Sequence, residues 1–222
     1  MKLHGVSFSP FVQRVLFAAR AKGIPLEIAP VGGPQLQTPE FAAISPMRRI
    51  PVLEEADGWT LCESRTIIAY LDATRPGPSL MPADPRIAAR ARLIAGLVDT
   101  EVAAGMRHFV IQKLFGMAAN QGALDYGARQ LALGLDAIER IGLDAAGWAV
   151  GDTPTVADAA LIPFLTLGEF IAEATDELPP IAGRKTIDAY WNRAKAMPLG
   201  AQTYQEMRDG FAAVMQARKE SA

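Results

Sequence analysis

One cysteine and two histidines in 222 residues leave little room for several kinds of chemistry. Cys62 cannot form an intrachain disulfide, which excludes a disulfide-stapled scaffold. His4 and His108 lie far apart and without a carboxylate cluster, so neither a metal set nor a Cys/His dyad is expected. Neither sign of charge is in excess. A formal net charge of −2 and a pI of about 5.8 give no long-range pull on phosphate backbones or anionic lipids, so neither nucleic acid nor a membrane is an expected partner. No apolar run approaches the roughly 18 residues that cross a bilayer. The amino terminus MKLHGVSFSP has neither the long apolar region nor the small-residue cleavage site of a signal peptide, and a cytoplasmic location is the expectation. Phosphate-cradling patterns such as GxGxxG are missing as well. What remains for chemistry is hydroxyls, backbone amides, a few arginines and a reactive group brought in by a ligand.

Half of the residues are apolar, enough for one large core or two modest ones. The first eighty residues alternate short strand-like and helix-like segments. Lys2 to Val6 reads as a strand, Ser9-Pro10 opens a helix over Phe11 to Lys22, and Gly23 ends it. A second strand over Leu26 to Val31, a Gly32-Gly33-Pro34 loop and a short helix from Thr38-Pro39 to Ser45-Pro46 follow. Val52 to Glu54 and Trp59 to Cys62 flank an Asp57-Gly58 turn, and a helix runs from Ser64 to Ala73. The expected order is βαβαββα, with residues 1–77 as one domain. The four prolines of RPGPSLMPADP, Arg75 to Pro85, disfavour regular structure and mark a linker over 78–85. From there, 86–222 reads as an all-α bundle. Ile87, Ala91, Ile94, Val98, Val102, Met106 and Phe109 form one apolar stripe, and Leu124, Leu131, Leu135 and Ile138 another.

Three features of the first part converge on a possible site. Ser9 stands at the mouth of the first helix, where free N–H groups favour a bound anion such as a thiolate, although a plain helix cap explains it equally. In Arg49-Ile50-Pro51-Val52-Leu53, a cis bond before Pro51 would turn the main-chain groups of Ile50 toward an extended, peptide-like ligand, and a trans bond would not. Glu63-Ser64 opens the last helix of this part, and an acidic residue beside free amides can hold the ammonium and carboxylate of an amino acid. Capping by Ser64 is the simpler role.

Taken together, the Ser-Pro-Phe, Ile-Pro-Val-Leu and Glu-Ser motifs, the proline-rich linker and the helical second part resemble a cytosolic glutathione S-transferase of the serine type, over essentially the whole chain. The resemblance implies a thioredoxin-like amino-terminal domain, glutathione as co-substrate without a metal, and a homodimer. Ser9 matches the serine that stabilises the glutathione thiolate, as in tau- and zeta-like members, with Ser7 as the theta-like rival. Glu63 and Ser64 match the pair that holds the γ-glutamyl group, and Ile50 before Pro51 the backbone that pairs with the cysteinyl part. Arg49 and Gln37 match positions that meet the glycyl carboxylate, with Arg48 exchangeable for Arg49. A small hydrophobic electrophile would meet Phe11, Met106, Phe109 and Val110, although a Met/Phe stripe also reads as core. The catalytic tyrosine of other classes and the cysteine of omega-like members are missing, and Cys62 reads as a buried strand residue. Gly151-Asp152-Thr153-Pro154-Thr155-Val156-Ala157-Asp158 is similar to the family's capping box, with Thr155 and Asp158 as folding determinants.

The expected activity is thiolate attack on an apolar electrophile. Ser9 followed by Arg14-Val15 is also similar to the isomerases of the maleylacetoacetate type. Those carry a Ser-Ser-Cys run where this chain has Ser9-Pro10-Phe11, so transfer ranks above isomerisation. A non-enzymatic binding or regulatory protein on the same fold is the third reading, and the presence of Glu63-Ser64 counts against it.

Overall fold

The computed structural model describes residues 1–220, with no account of the side chains of 217–219. By its contacts the chain divides into two units, Met1–Leu80 with the last helix from Pro198, and Met81–Met197.

In the first unit β1 (Lys2–Gly5), α1 (Pro10–Ala21), β2 (Glu27–Pro30), a 3-10 turn (Gly33–Gln37), α2 (Pro39–Ile44), β3 (Val52–Glu54), β4 (Thr60–Cys62) and α3 (Ser64–Thr74) follow in the expected order. The sheet runs β2-β1-β3-β4, with β1 parallel to β2 and antiparallel to β3. Val52 and Leu53 are neighbours in β3 and therefore point to opposite faces, yet both are fully buried, so the sheet is covered on both sides. Gly5 lets α1 lie on the end of β1, because a Cβ there would stand 2.4 Å from Cγ2 of Val12. The β3–β4 hairpin turns at Gly58, whose φ of +86° suits a residue without a side chain.

The linker begins later than its prolines suggest. Lys22, almost wholly buried, donates to Asp72 (2.9 Å) and to the Pro78 carbonyl (3.0 Å). Asp72 in turn accepts from Ser79 Oγ and from the Leu80 N–H, each at 2.9 Å. These bonds fix 78–80 to the first unit, and Leu80 is buried.

The second unit holds α4 (Pro85–Leu97), α5 (Ala104–Phe109), α6 (Gln121–Ile141), α7 (Val156–Ala174) and α8 (Lys185–Ala196). Asp84 caps α4 through the Arg86 and Ile87 amides. α7 is apolar on nearly every face, as befits a helix enclosed by others. Its capping box is present: Asp158, fully buried, accepts from the Thr155 N–H at 2.9 Å, the Ala149 N–H at 2.7 Å and the Tyr190 hydroxyl at 2.9 Å. Burial pushes the Asp158 carboxyl above its ordinary range against the pull of these bonds.

The apolar stripe from Ala91 to Phe109 is buried as read, but its start is not, since Ile87 is 41% exposed. Between α4 and α6 the helix passes through two π-helical turns, Val98–Ala103 and Val110–Leu114. The last helix, α9 (Pro198–Glu220), departs from the expected 86–222 domain. It packs on α1 in the first unit, where Arg20 meets both oxygens of Glu206 at 2.8 and 2.7 Å. Nothing local in the sequence marks a partner 186 residues earlier.

Candidate functional site

Strand register brings the candidate residues of the first unit to one end of its sheet. His4 pairs with Val52, and Val52 pairs with Cys62. Because β3 runs against both of its neighbours, the segment after β1, the segment before β3 and the segment after β4 all leave from that row on the same side. These segments carry Ser9, Ile50-Pro51 and Glu63-Ser64. β2 runs parallel to β1, with Pro30 opposite Gly5, so the stretch toward Gln37 departs from the same end. From β1 to β4 is two strand spacings, roughly 10 Å, the length of about three extended residues.

Ser9 is the N-cap of α1, with φ −73° and ψ 123°. Its main chain is fixed on both sides: its N–H donates to Val6 (3.1 Å) and its carbonyl accepts from the Gln13 N–H (3.0 Å). Its hydroxyl is held loosely, since the Val12 N–H is 3.5 Å away, at the outer limit of a hydrogen bond. Ser7 is occupied differently. Its carbonyl accepts from Nε2 of Gln13 at 2.8 Å, and its Oγ lies against Gly210 of α9, where a Cβ would stand 2.3 Å away.

The Ile50–Pro51 bond is cis, as the peptide-pairing reading requires. Ile50 precedes β3 and lies outside the ladder, which begins at Val52. Sequence reasoning missed the residue that holds this stretch: Ser45, buried, donates from Oγ to the Arg49 carbonyl (2.8 Å) and accepts from the Arg49 N–H (3.0 Å). A serine just before a proline is the signal that points to such a local bond.

At α3 the structure moves the cap by one residue. Glu63, not Ser64, is the N-cap. It is exposed, has φ 69°, and makes no capping bond with its side chain. Ser64 is the first helical residue and is buried. The helix mouth therefore presents a carboxylate whose side chain is not spent on its own backbone. The pairing at the other side is with Arg48: its Nη1 donates to the carbonyl and to Oε1 of Gln37, both at 3.1 Å, whereas Arg49 meets Ser45 through its main chain.

Two of the residues expected to meet an electrophile do not face open space. Met106 and Phe109 are fully buried, and Cε of Met106 would stand 3.1 Å from a Cβ on Gly168 of α7, so both pack the core of the helical unit. Val110 is half-buried and Phe11 is 38% exposed. Cys62 is half-buried rather than buried, with its thiol directed to the Ile44 carbonyl at 3.2 Å. Among the described residues no group of three or more His, Cys, Asp or Glu is placed to hold a metal, and no helix is long and apolar enough to cross a membrane.

Residues 3–79 match the family of the glutathione S-transferase N-terminal domain. A maleylacetoacetate isomerase from Mus musculus is 34% identical over 155 residues, covering 68% of this chain and 69% of the relative. A glutathione S-transferase from Zea mays is 32% identical over 223 residues, covering 91% and 92%. Among solved structures, a maleylacetoacetate isomerase from Methylobacterium extorquens AM1 with bound malonate and glutathione superposes with a TM-score of 0.77 at 25% identity, over 92% of this chain and 96% of that one. On the matched amino-terminal residues and on relatives that align along most of their length, the chain belongs to the glutathione S-transferase family.

Proposed function

We propose that the chain binds glutathione across the sheet end and uses it as a thiolate. The observation that supports this is the register row His4–Val52–Cys62, from which the segments carrying Ser9, Ile50 and Glu63-Ser64 all leave at one end of the sheet. Ser9 donates its loosely held hydroxyl to the sulfur, and the helix mouth of α1 adds its positive end. Ile50 pairs with the cysteinyl unit through its main chain. Glu63 holds the ammonium of the γ-glutamyl group, and Ser64 with the first amides of α3 holds its carboxylate. Gln37 with Arg48 or Arg49 faces the glycyl carboxylate.

A free thiol of pKa near 8.5 is mostly protonated at neutral pH, and a hydroxyl donor at a helix start favours the ionised form. Serine acts here as a donor and forms no covalent bond to substrate. The thiolate attacks an electrophilic carbon of an apolar substrate. A C–S bond forms as the bond to a leaving group such as halide breaks, or as an activated double bond opens and its carbanion takes a proton, and the thioether leaves as a conjugate. The second reading, isomerisation, is favoured by the mouse and Methylobacterium extorquens relatives, both named maleylacetoacetate isomerases. There the sulfur adds to a conjugated double bond, rotation follows about what is now a single bond, and elimination returns the thiolate. Both readings share the first step and need no oxidant or metal. We assign the protein to the cytoplasm, where glutathione is kept reduced.

Calorimetry with millimolar glutathione tests the shared step: saturable heat is expected, and none would overturn the reading. Incubation with maleylacetoacetate and with an activated aryl halide then separates the two outcomes. Isomer without consumption of glutathione marks the isomerase, and a stable thioether marks the transferase.

A further inference from the structure

We propose that Glu206 and Gly210 of α9 are positioning residues for the thiolate-stabilising hydroxyl of Ser9, acting through Gln13 and the turn Val6–Ser9. The inference rests on the proposed role of Ser9 and extends it to a helix that the sequence places in the other part of the chain.

Gln13 is fully buried in α1, and its amide is held only by its nitrogen. Nε2 donates to the Ser7 carbonyl at 2.8 Å and to Glu206 at 3.2 Å, while Oε1 has no partner. Rotating the amide would set its oxygen against two acceptors, so the orientation is fixed by this pair. Glu206 is itself fixed, since both of its oxygens accept from Arg20 and one from Gln202 at 3.0 Å. A carboxylate on α9 thus fixes an amide on α1, and that amide fixes the carbonyl two residues before Ser9.

Gly210, one turn further along α9, supplies the other half of the seat. A Cβ at this position would stand 2.3 Å from Ser7 Oγ and 3.0 Å from the Phe8 N–H, so the turn rests directly on the helix backbone. Neither contact is needed to form α9. Together they bear on Ser7 and Phe8, the two residues of the turn that lead into Ser9. Displacing that hydroxyl by a few tenths of an ångström weakens a donor bond to sulfur more in the thiolate state than in the thiol state.

The test is an ultraviolet pH titration of the thiolate in the glutathione-bound enzyme, with conjugation kinetics alongside. Glu206→Ala and Gly210→Ala are expected to raise the titration midpoint by about one unit and to lower kcat about tenfold at neutral pH, with KM for glutathione changed less than about twofold. Glu206→Gln keeps an acceptor for Gln13 and is expected not to raise the midpoint, although it loses the Arg20 ion pair and some thermal stability. Gln205→Ala, on the exposed side of α9, should change neither quantity. The midpoint is read on folded, liganded protein, so lost stability alone does not move it.

An unchanged midpoint in Glu206→Ala overturns the proposal. So does a lowered one, because the loss of a negative charge by itself favours the thiolate and would then be the whole effect. If Gly210→Ala does not fold, Glu206→Ala decides, since that side chain is partly exposed and its loss is tolerable. Should Ser9→Ala leave the midpoint in place, it is the role of Ser9 that fails, before any question about α9.

Discussion

Ser9 is held by its backbone and only loosely by its hydroxyl, and this division is what a donor to a ligand needs. Its capping bond at 3.5 Å contributes little, so Ser9→Ala should cost less than about 1 kcal/mol of stability. A hydrogen bond to a charged sulfur is worth about 1.5–3 kcal/mol, so the same variant should lose roughly 10- to 100-fold in kcat with glutathione affinity nearly kept. If Ser7→Ala produces that loss and Ser9→Ala does not, the serine has been misassigned. Glu63 offers a complementary experiment. At φ 69° a residue with a Cβ is strained by roughly 1 kcal/mol or more, so Glu63→Gly should raise the melting temperature while it weakens glutathione binding. A glycine variant that binds as tightly as the parent would remove Glu63 from the site.

At the scale of elements, two carboxylates hold segments that propensity alone would leave loose. Asp72 joins α3 to residues 78–80. Its burial alone would raise its pKa, but the Leu80 amide, Lys22 and Ser79 outweigh this and hold the carboxyl below its ordinary value. A depressed pKa in the folded state contributes stability that is full above the unfolded value of about 3.9 and is lost as pH falls through the folded value. Asp72→Asn leaves buried Lys22 without its anion and should cost about 3 kcal/mol at pH 7. In thermal melts that difference from the parent should shrink below about pH 4. Asp158 anchors the start of α7 from a wholly buried position, where burial raises its carboxyl instead. Asp158→Ala strands the Thr155 and Ala149 amides and the Tyr190 hydroxyl, a loss of about 4 kcal/mol that denaturant unfolding should report.

The first π-helical turn, Val98–Ala103, has a physical reason in the spacing of the apolar stripe. The stripe residues Ile94, Val98, Val102 and Met106 are four apart, and each such step drifts about 40° round an ordinary helix. A slower turn over Val98–Ala103 keeps all four on one buried face.

At the scale of the whole molecule, ligand binding and unfolding are linked. Glutathione at a hundredfold excess over Kd stabilises by ~2.7 kcal/mol, so a rise of about 5–10 °C in Tm is expected, and no rise would contradict the assigned site. The second unit also leaves large apolar side chains in water, among them Ile87 and Leu93 of α4, 41% and 50% exposed, and Leu133 of α6. Light scattering is expected to show a homodimer at micromolar concentration. A monomer there would leave these side chains without the partner expected to cover them.

The sequence alone determined what depends on neighbours in the chain. Turn glycines, helix-opening Ser9-Pro10, the alternating strands and the Thr155-Asp158 box are local chemistry, which is why the order βαβαββα and the helical second unit were legible. The Ser9, Pro51 and Glu63-Ser64 motifs were legible for the same reason, each marking a boundary between elements. Tertiary structure decided what depends on distant partners. Burial made Met106 and Phe109 core, Gln37 found Arg48, and Lys22 with Asp72 carried the first unit through Leu80. α9 went to α1, because an amphipathic face states that it must be covered but not by which helix, and only packing brings Glu206 to Gln13 and Arg20.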